Sequence, residues 1–122
     1  MNGTPIKTMR LIMICNKGDI VVIPFPFVDN ANTKPRPAVV LSNGEFNKTH
    51  DHTVMAMITT GAGTSWNTDV KIDDLNKAGL KIASYMRLKI FTLDNRLIKK
   101  KIGKLNEKNL SHLQDNLNSI LC

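Results

Sequence analysis

Long apolar runs and cysteines are both scarce in this chain of 122 residues. The longest apolar stretches, residues 11–15 and 20–28, fall far short of the roughly 20 residues that a membrane-spanning helix needs. Only two cysteines are present, Cys15 and Cys122 near opposite ends of the chain, and two cysteines make no disulfide framework. We therefore expect a cytoplasmic protein without membrane spans, in which both thiols are inert.

The familiar sequence templates for catalysis are also missing. The chain has no ordered Ser-His-Asp set, no glycine loop that cradles a phosphate and no paired-thiol motif. His50 and His52 have a spacing that suits a metal ion, but no further ligands accompany them, and exposed loop histidines are the simpler interpretation. These absences exclude ordinary hydrolases and nucleotide-binding enzymes, and they predict no metal site.

Basic residues, in contrast, are abundant and unevenly placed. The chain carries 17 lysines and arginines against 10 acidic residues, a net charge of +7, and residues 71–122 hold eleven of the basic residues. An apolar content of 42% is typical of one globular domain with a modest core. A polyanion or an acidic protein is therefore a plausible partner, although a lysine-rich surface is often only solvated.

Short β-branched segments separated by turn residues predict a mainly β fold. Pro24 and Pro26 close the first segment, and Leu93-Asp94-Asn95 favours a tight turn between the last two. Six short strands at close spacing favour a small closed or half-open barrel over a parallel α/β sheet. The predicted strands are residues 20–23, 38–42, 53–60, 68–72, 83–90 and 96–102, with a loop over 43–52 that has room for one helical turn.

The chain ends in a segment with helical periodicity. Apolar residues recur at three- and four-residue intervals, which places them on one face of a helix that begins near Glu107 with Asn106 as its N-cap. Packing of this stripe against the sheet is the expected role. The stripe is Leu110, Leu113, Leu117, Ile120 and Leu121. We expect residues 16–122 to form the folded domain and residues 1–15 to be a loosely attached extension.

One constellation stands out as a candidate site. Arg36 lies between Pro35 and Pro37 at the entrance of a predicted strand, and Thr59 and Thr60 lie where another strand leaves for a glycine loop. The two pyrrolidine rings stiffen the backbone on both sides of Arg36, as is needed to aim a guanidinium at a phosphate. The simpler alternative is an arginine that caps a turn beside ordinary strand threonines.

These residues fall within a longer pattern that resembles a known family. The segments that carry the likeness are KGDIV at 17–21, PFPF at 24–27, KPRPAVVLS at 34–42, AMITT at 56–60, GL at 79–80, SYMR at 84–87, IFTLD at 90–94 and KLN at 104–106. In this order and spacing they resemble the MazF/PemK family of toxin endoribonucleases, the mRNA interferases of type II toxin–antitoxin systems. The resemblance covers residues 17–121 and leaves residues 1–15 outside.

The resemblance implies a fold, a set of partners and a reaction. It implies an SH3-like barrel with a C-terminal helix, a homodimer that binds single-stranded RNA, and an acidic antitoxin that neutralises the basic toxin in a bacterial cytoplasm. DNA binding is implied for the toxin–antitoxin complex. The implied reaction uses no metal or cofactor: the 2′-hydroxyl of the RNA attacks the neighbouring phosphorus, which leaves a 2′,3′-cyclic phosphate and a 5′-hydroxyl.

Residue roles follow from the same resemblance. Arg36 and Thr59 correspond to the catalytic pair, which binds the scissile phosphate and donates to its oxygens as charge builds. RNA contacts are expected from two loops and from Trp66, which is either a base-stacking residue or an anchor at the barrel rim. The expected RNA-binding residues are Asn30, Asn32, Lys34, Thr60, Trp66 and Asn67. The first loop reads VDNANT and lacks the Gly-Ser turn common in the family.

Two alternatives belong to other functional classes. A toxin with the same fold can act without cleaving RNA, as the gyrase-trapping CcdB toxins do, and an SH3-like barrel can serve only as a binding module. Arg36 and Thr59, placed as they are in the nuclease-type pattern, argue against the CcdB-like toxin, and the binding module stays open.

Overall fold

A computed structural model describes residues 12–24, 34–61 and 63–122. The six strands are β1 (Asp19–Pro24), β2 (Pro35–Val40), β3 (His52–Thr59), β4 (Val70–Lys71), β5 (Tyr85–Asp94) and β6 (Lys100–Lys104). The helices are α1 (Gly44–His50), α2 (Leu75–Ala78) and α3 (Glu107–Leu121), and a 3₁₀ turn covers Asn95–Leu97. The strands form one antiparallel sheet in the order β4-β5-β3-β2-β1-β6, which curls into a half-open barrel and confirms the predicted fold class.

Neighbouring side chains on each strand alternate between two buried faces of the sheet. On one face, Val39 and Ala56 pack in a core that includes Leu113 and Leu117 of α3. On the other face, Ala38 packs in a second core together with Val21, Ile23, Val40, Met55, Cys15 and Ile98. The helix therefore covers only one face, and the opposite face is closed by the segment before β1 and by the chain after the 3₁₀ turn.

The packed unit includes Cys15, which the sequence placed in a loose extension. Its side chain is buried in the second core, Met13 packs beside it, and its backbone oxygen accepts a 2.9 Å hydrogen bond from Asn47 Nδ2. The physical reason is that the sheet face without a helix needs an apolar cover, which this segment supplies. Residues 1–11 of the expected extension lie outside the described residues, and Ile12 and Ile14 are exposed.

Helix α1 is a difference from the sequence prediction, which gave residues 43–52 as a loop with room for a single turn. The side chain of Asn43 caps the helix by accepting a 2.8 Å hydrogen bond from the backbone nitrogen of Phe46. Its one buried residue is polar, Asn47. Since the helix is held by polar contacts, it has no apolar periodicity for a sequence reading to detect. The predicted turn before Gly79 likewise contains the short helix α2.

Several other predictions hold with shifted bounds. Strand β2 begins at Pro35 instead of after Pro37, β5 continues to Asp94, and the 3₁₀ turn delays the start of β6 to Lys100. Helix α3 begins at Glu107 with Asn106 as N-cap, as predicted. Its apolar stripe packs only in part, because Ile120 and Leu121 are exposed. Within the described ranges no helix is long and apolar enough to cross a bilayer.

Candidate nucleic-acid site

Side chains from four neighbouring strands form a transverse row at one end of the sheet. Thr59 on β3 pairs with Tyr85 on β5, and Tyr85 pairs with Lys71 on β4. The β2–β3 ladder ends at the pair Ala38–Met57, and the same register extended by two residues along each strand would set Arg36 opposite Thr59. Residues opposite each other share a face. The row therefore lies on the face that carries Ala38, away from α3.

The two prolines account for the local geometry around Arg36. The backbone oxygen of Val22 accepts a hydrogen bond from the N–H of Lys99, the residue before β6. Because successive residues of a strand point their backbone groups to opposite sides, the backbone of Ile23 points to Arg36 on β2. Pro35 and Pro37 flank Arg36, so their backbone groups point to the other side, towards β3. A proline nitrogen has no hydrogen to donate, and the β2–β3 ladder therefore ends there. The backbone of Arg36 is thus directed towards β1, where it pairs with Ile23, and not towards β3.

The side chain of Arg36 has no partner in the described part of the chain. Arg36 is exposed and its guanidinium makes no hydrogen bond or ion pair there, whereas that of Arg87 is paired with Asp69 and that of Arg96 with Asp94. Both pairs are bidentate, with the Nε and Nη2 atoms each bonded to a carboxylate oxygen. Arg36 thus retains the planar donor fork that matches a phosphate.

Thr59 is half-buried, and its hydroxyl is oriented by the chain that follows. The Oγ1 atom accepts a 3.1 Å hydrogen bond from the backbone N–H of Gly61, so its own proton is left to donate. Gly61 has a φ of +78°, and a Cβ there would lie 3.3 Å from two ring carbons of Tyr85. Only glycine combines this backbone conformation with such close approach to the ring.

A cleft of about 320 Å³ adjoins the row. It is lined by Thr60, Gly61, Thr64, Ser65, Asp69, Lys71 and Tyr85. The cleft joins hydroxyl groups, a lysine and an aromatic ring, a combination suited to an anionic ligand that carries a flat ring. Sequence reasoning assigned no site role to Lys71 and Tyr85, because only the strand register brings them beside Thr59.

Arg87 organises the loop at the edge of this cleft. Its guanidinium bonds to both carboxylate oxygens of Asp69 at 3.1 and 2.9 Å, and to the side-chain and backbone oxygens of Thr64 at 3.0 and 3.1 Å. Hydrogen bonding from Arg87 lowers the pKa of Asp69, and the carboxylate raises the pKa of Arg87. The guanidinium lies 5.3 Å from the centroid of the Trp66 ring, which remains 43% exposed.

The predicted RNA-binding residues fall into three groups. Lys34 is exposed directly before β2, close in sequence to Arg36. The second group follows Thr59 in the chain that leads from β3 to β4 and is exposed; it consists of Thr60, Trp66 and Asn67. The remaining two, Asn30 and Asn32, lie outside the described residues.

The two histidines singled out by their spacing lie at the other end of β3. His50 is exposed in the last turn of α1, where its ring lies 4.6 Å from that of Phe46, and His52 is the exposed first residue of the strand. Across residues 12–24, 34–61 and 63–122, no three histidine, cysteine, aspartate or glutamate side chains are grouped to hold a metal ion.

Solved structures share the fold of this chain. The chain is similar to MazF of Deinococcus radiodurans as found in a MazE–MazF crystal form, with a TM-score of 0.72, 19% identity and coverage of 89% of this chain and 97% of that one. It is also similar to a mycobacterial endoribonuclease solved with its cognate antitoxin, with a TM-score of 0.68, 16% identity and coverage of 88% and 93%. No curated protein gives a significant sequence match.

These likenesses define the class of protein: a MazF-type half-barrel closed on one face by a C-terminal helix. The sequence profile of the PemK-like, MazF-like toxins of type II toxin–antitoxin systems matches residues 16–121. The chain belongs to this toxin family.

Proposed function

We propose that this toxin is a metal-independent endoribonuclease that cleaves single-stranded mRNA, with Arg36 and Thr59 as its catalytic pair. The observation that carries the proposal is the exposed side chain of Arg36, which has no partner among the described residues and lies on β2 at the end of the sheet where Thr59 lies on the neighbouring β3. The solved mycobacterial relative described as an endoribonuclease supports the same activity.

The proposed reaction needs no nucleophile from the protein. The 2′-hydroxyl oxygen of the RNA gives its proton to water and forms a bond to the adjacent phosphorus, the bond from phosphorus to the 5′ oxygen breaks, and that oxygen takes a proton from water and leaves as a 5′-hydroxyl. Arg36 binds the non-bridging oxygens in a bidentate manner, and Thr59 donates a further hydrogen bond as negative charge builds. Since an arginine stays protonated in proteins, its role is electrostatic and not that of a base.

Mapping of cleavage ends tests this activity directly. The purified protein is incubated with a long transcribed mRNA in the presence of EDTA, and the new ends are identified. We expect cuts that carry 2′,3′-cyclic phosphate and 5′-hydroxyl termini. Intact RNA would contradict the proposal and would favour a toxin that acts without cleavage or a module that only binds.

Substitution of Arg36 tests its assigned role. We expect Arg36→Ala to lower the cleavage rate by about 10²- to 10³-fold, the usual loss when one oxyanion-stabilising donor is removed. Arg36→Lys should recover little, because an ammonium group lacks the planar fork. Arg96→Ala removes the same charge from a surface arginine at the opposite end of the sheet and serves as the matched control. Cleavage at the wild-type rate by Arg36→Ala would refute the assignment.

The proposal extends to the partners and location of the toxin. We infer a homodimer in a bacterial cytoplasm, and an acidic antitoxin that binds this basic chain and joins it in a DNA-binding complex. The solved MazE–MazF complexes of Deinococcus radiodurans and the antitoxin complex of the mycobacterial endoribonuclease support an antitoxin partner. A net charge of +7 favours an acidic one. Sedimentation of the purified chain at several concentrations tests the dimer.

A further inference from the structure

Arg87 is a buried arginine whose hydrogen-bond donors are mostly bonded within the protein. Arg87 is 6% exposed, and four of its five N–H groups are engaged by Asp69 and Thr64. Because these donors already have acceptors, the guanidinium can offer a phosphate only one N–H group. Arg87 therefore acts on the substrate only through the residues that it holds in place.

Those residues form the loop that carries Trp66. The backbone N–H of Trp66 donates to Asp69 Oδ2 at 3.0 Å, and its backbone oxygen accepts from the N–H of Asp69 at 3.0 Å. On the helix side, Asn116 Nδ2 of α3 donates to the backbone oxygen of Thr68 at 3.0 Å. The loop is thus anchored to both the sheet and the helix, which fixes the backbone on which the tryptophan stands.

The ring of Trp66 is held but not buried. The ring lies against the guanidinium of Arg87, and the residue is still 43% exposed, directly after Ser65 of the cleft lining. The exposed part of the ring leaves apolar surface that an unpaired base can cover, and burial of that surface on contact favours binding. Stacking on an aromatic ring is the common way in which proteins bind single-stranded bases.

We propose that Arg87 and Asp69 hold Trp66 as a preformed stacking platform for an unpaired base of the RNA substrate. The pair is a positioning device: it governs binding and the choice of site, and leaves the chemical step to Arg36 and Thr59. This inference rests on the proposed nuclease function for the identity of its substrate. Its test is a binding measurement that proceeds without cleavage.

The binding probes are fluorescein-labelled decamers of 2′-O-methyl adenylate and 2′-O-methyl uridylate, in which the blocked 2′ oxygen prevents attack. Because Trp66 is the sole tryptophan, its fluorescence reports stacking in the wild-type protein. We expect quenching on binding. Trp66→Leu and Arg87→Lys should weaken binding about tenfold, and Trp66→Phe should stay within about threefold because a π face remains.

Matched controls separate positioning from general damage. Arg96→Lys alters the other bidentate arginine, at the far end of the sheet, and should bind as the wild type does. Trp66→Leu changes an exposed side chain, so it tests the platform even if Arg87→Lys fails to fold. On cleavable RNA, Trp66→Leu should raise KM about tenfold and leave kcat within about twofold.

Each outcome decides between the two proposals. Wild-type binding with quenching but no cleavage would sustain the platform and refute the nuclease. Cleavage together with unchanged binding and KM in Trp66→Leu would overturn the platform and leave the nuclease intact. Failure of the wild-type protein to bind either decamer would overturn the platform whatever the cleavage assay shows.

Discussion

The two thiols of this toxin differ in environment. Cys15 is buried in the second core, and desolvation, with a smaller contribution from the charge of Asp19, raises its pKa to about 11. Cys122 is exposed. The sequence suggested the same inert role for both, because composition and spacing carry no information on which thiol the fold will bury. Only the thiolate is reactive, so burial and protonation together should protect Cys15.

Thiol labelling at pH 8 tests this difference. We expect an aromatic disulfide reagent to modify one thiol of the native chain rapidly and the second only after unfolding, and Cys122→Ser to remove the rapid phase. Because the folded pKa of Cys15 is raised, its contribution to stability is full below the ordinary value near 9 and is lost as the pH rises through about 11. Two equally rapid thiols in the native protein would contradict the burial of Cys15.

At the scale of elements, α1 is joined to the rest of the fold by one buried asparagine. Asn47 Nδ2 donates to the backbone oxygens of Cys15 and Ser42 at 2.9 and 3.1 Å, and its Oδ1 accepts from the Ser42 hydroxyl. Its own backbone oxygen accepts a 2.8 Å hydrogen bond from Asn95 Nδ2. The helix, the segment before β1 and the 3₁₀ turn therefore share a single polar network.

Removal of the Asn47 amide should destabilise the whole fold. Asn47→Ala removes the Nδ2 donor from one buried and one partly buried carbonyl group, and we expect a loss of about 1–3 kcal/mol in the free energy of unfolding. Urea denaturation measures the loss. Asn76→Ala, at an exposed position of α2, is the matched control and should change stability by less than about 0.5 kcal/mol. Equal midpoints for the two variants would show that the network is not stabilising.

The same contrast explains which elements sequence reasoning could predict. β-branched runs located β1 and β3, and a leucine stripe located α3, because apolar periodicity is a local signal. Helix α1 lacks such a stripe, so its polar anchors became visible only in the fold. The same holds for the candidate site, where the local sequence pattern predicted Arg36 and Thr59. Tyr85 and Lys71 are brought to the site by pairing between strands that lie far apart in the sequence, which no local pattern predicts.

At the scale of the whole molecule, the positive charge is distributed over both faces of the sheet. Lys71 lies in the transverse row with Thr59 and Tyr85, on the face without a helix. Lys108 lies in the first turn of α3, where it is highly exposed and 3.6 Å from Asp73. The two lysines carry equal charge, so replacing either one lowers the net charge of +7 by the same amount. A comparison of the two replacements therefore shows whether RNA is attracted by the row or by the net charge.

The salt dependence of RNA binding should reveal this difference. Each phosphate neutralised on a single strand contributes about −0.7 to the slope of log K against log salt concentration. With the 2′-O-methyl decamers, we expect a steep wild-type slope that Lys71→Gln makes shallower by about 0.7, while Lys108→Gln leaves it unchanged. Fluorescence anisotropy between about 50 and 200 mM salt measures both. Equal slopes for the two variants would mean that the phosphate backbone does not pass along the row, and a flat wild-type response would point to a protein as the main partner of the basic surface.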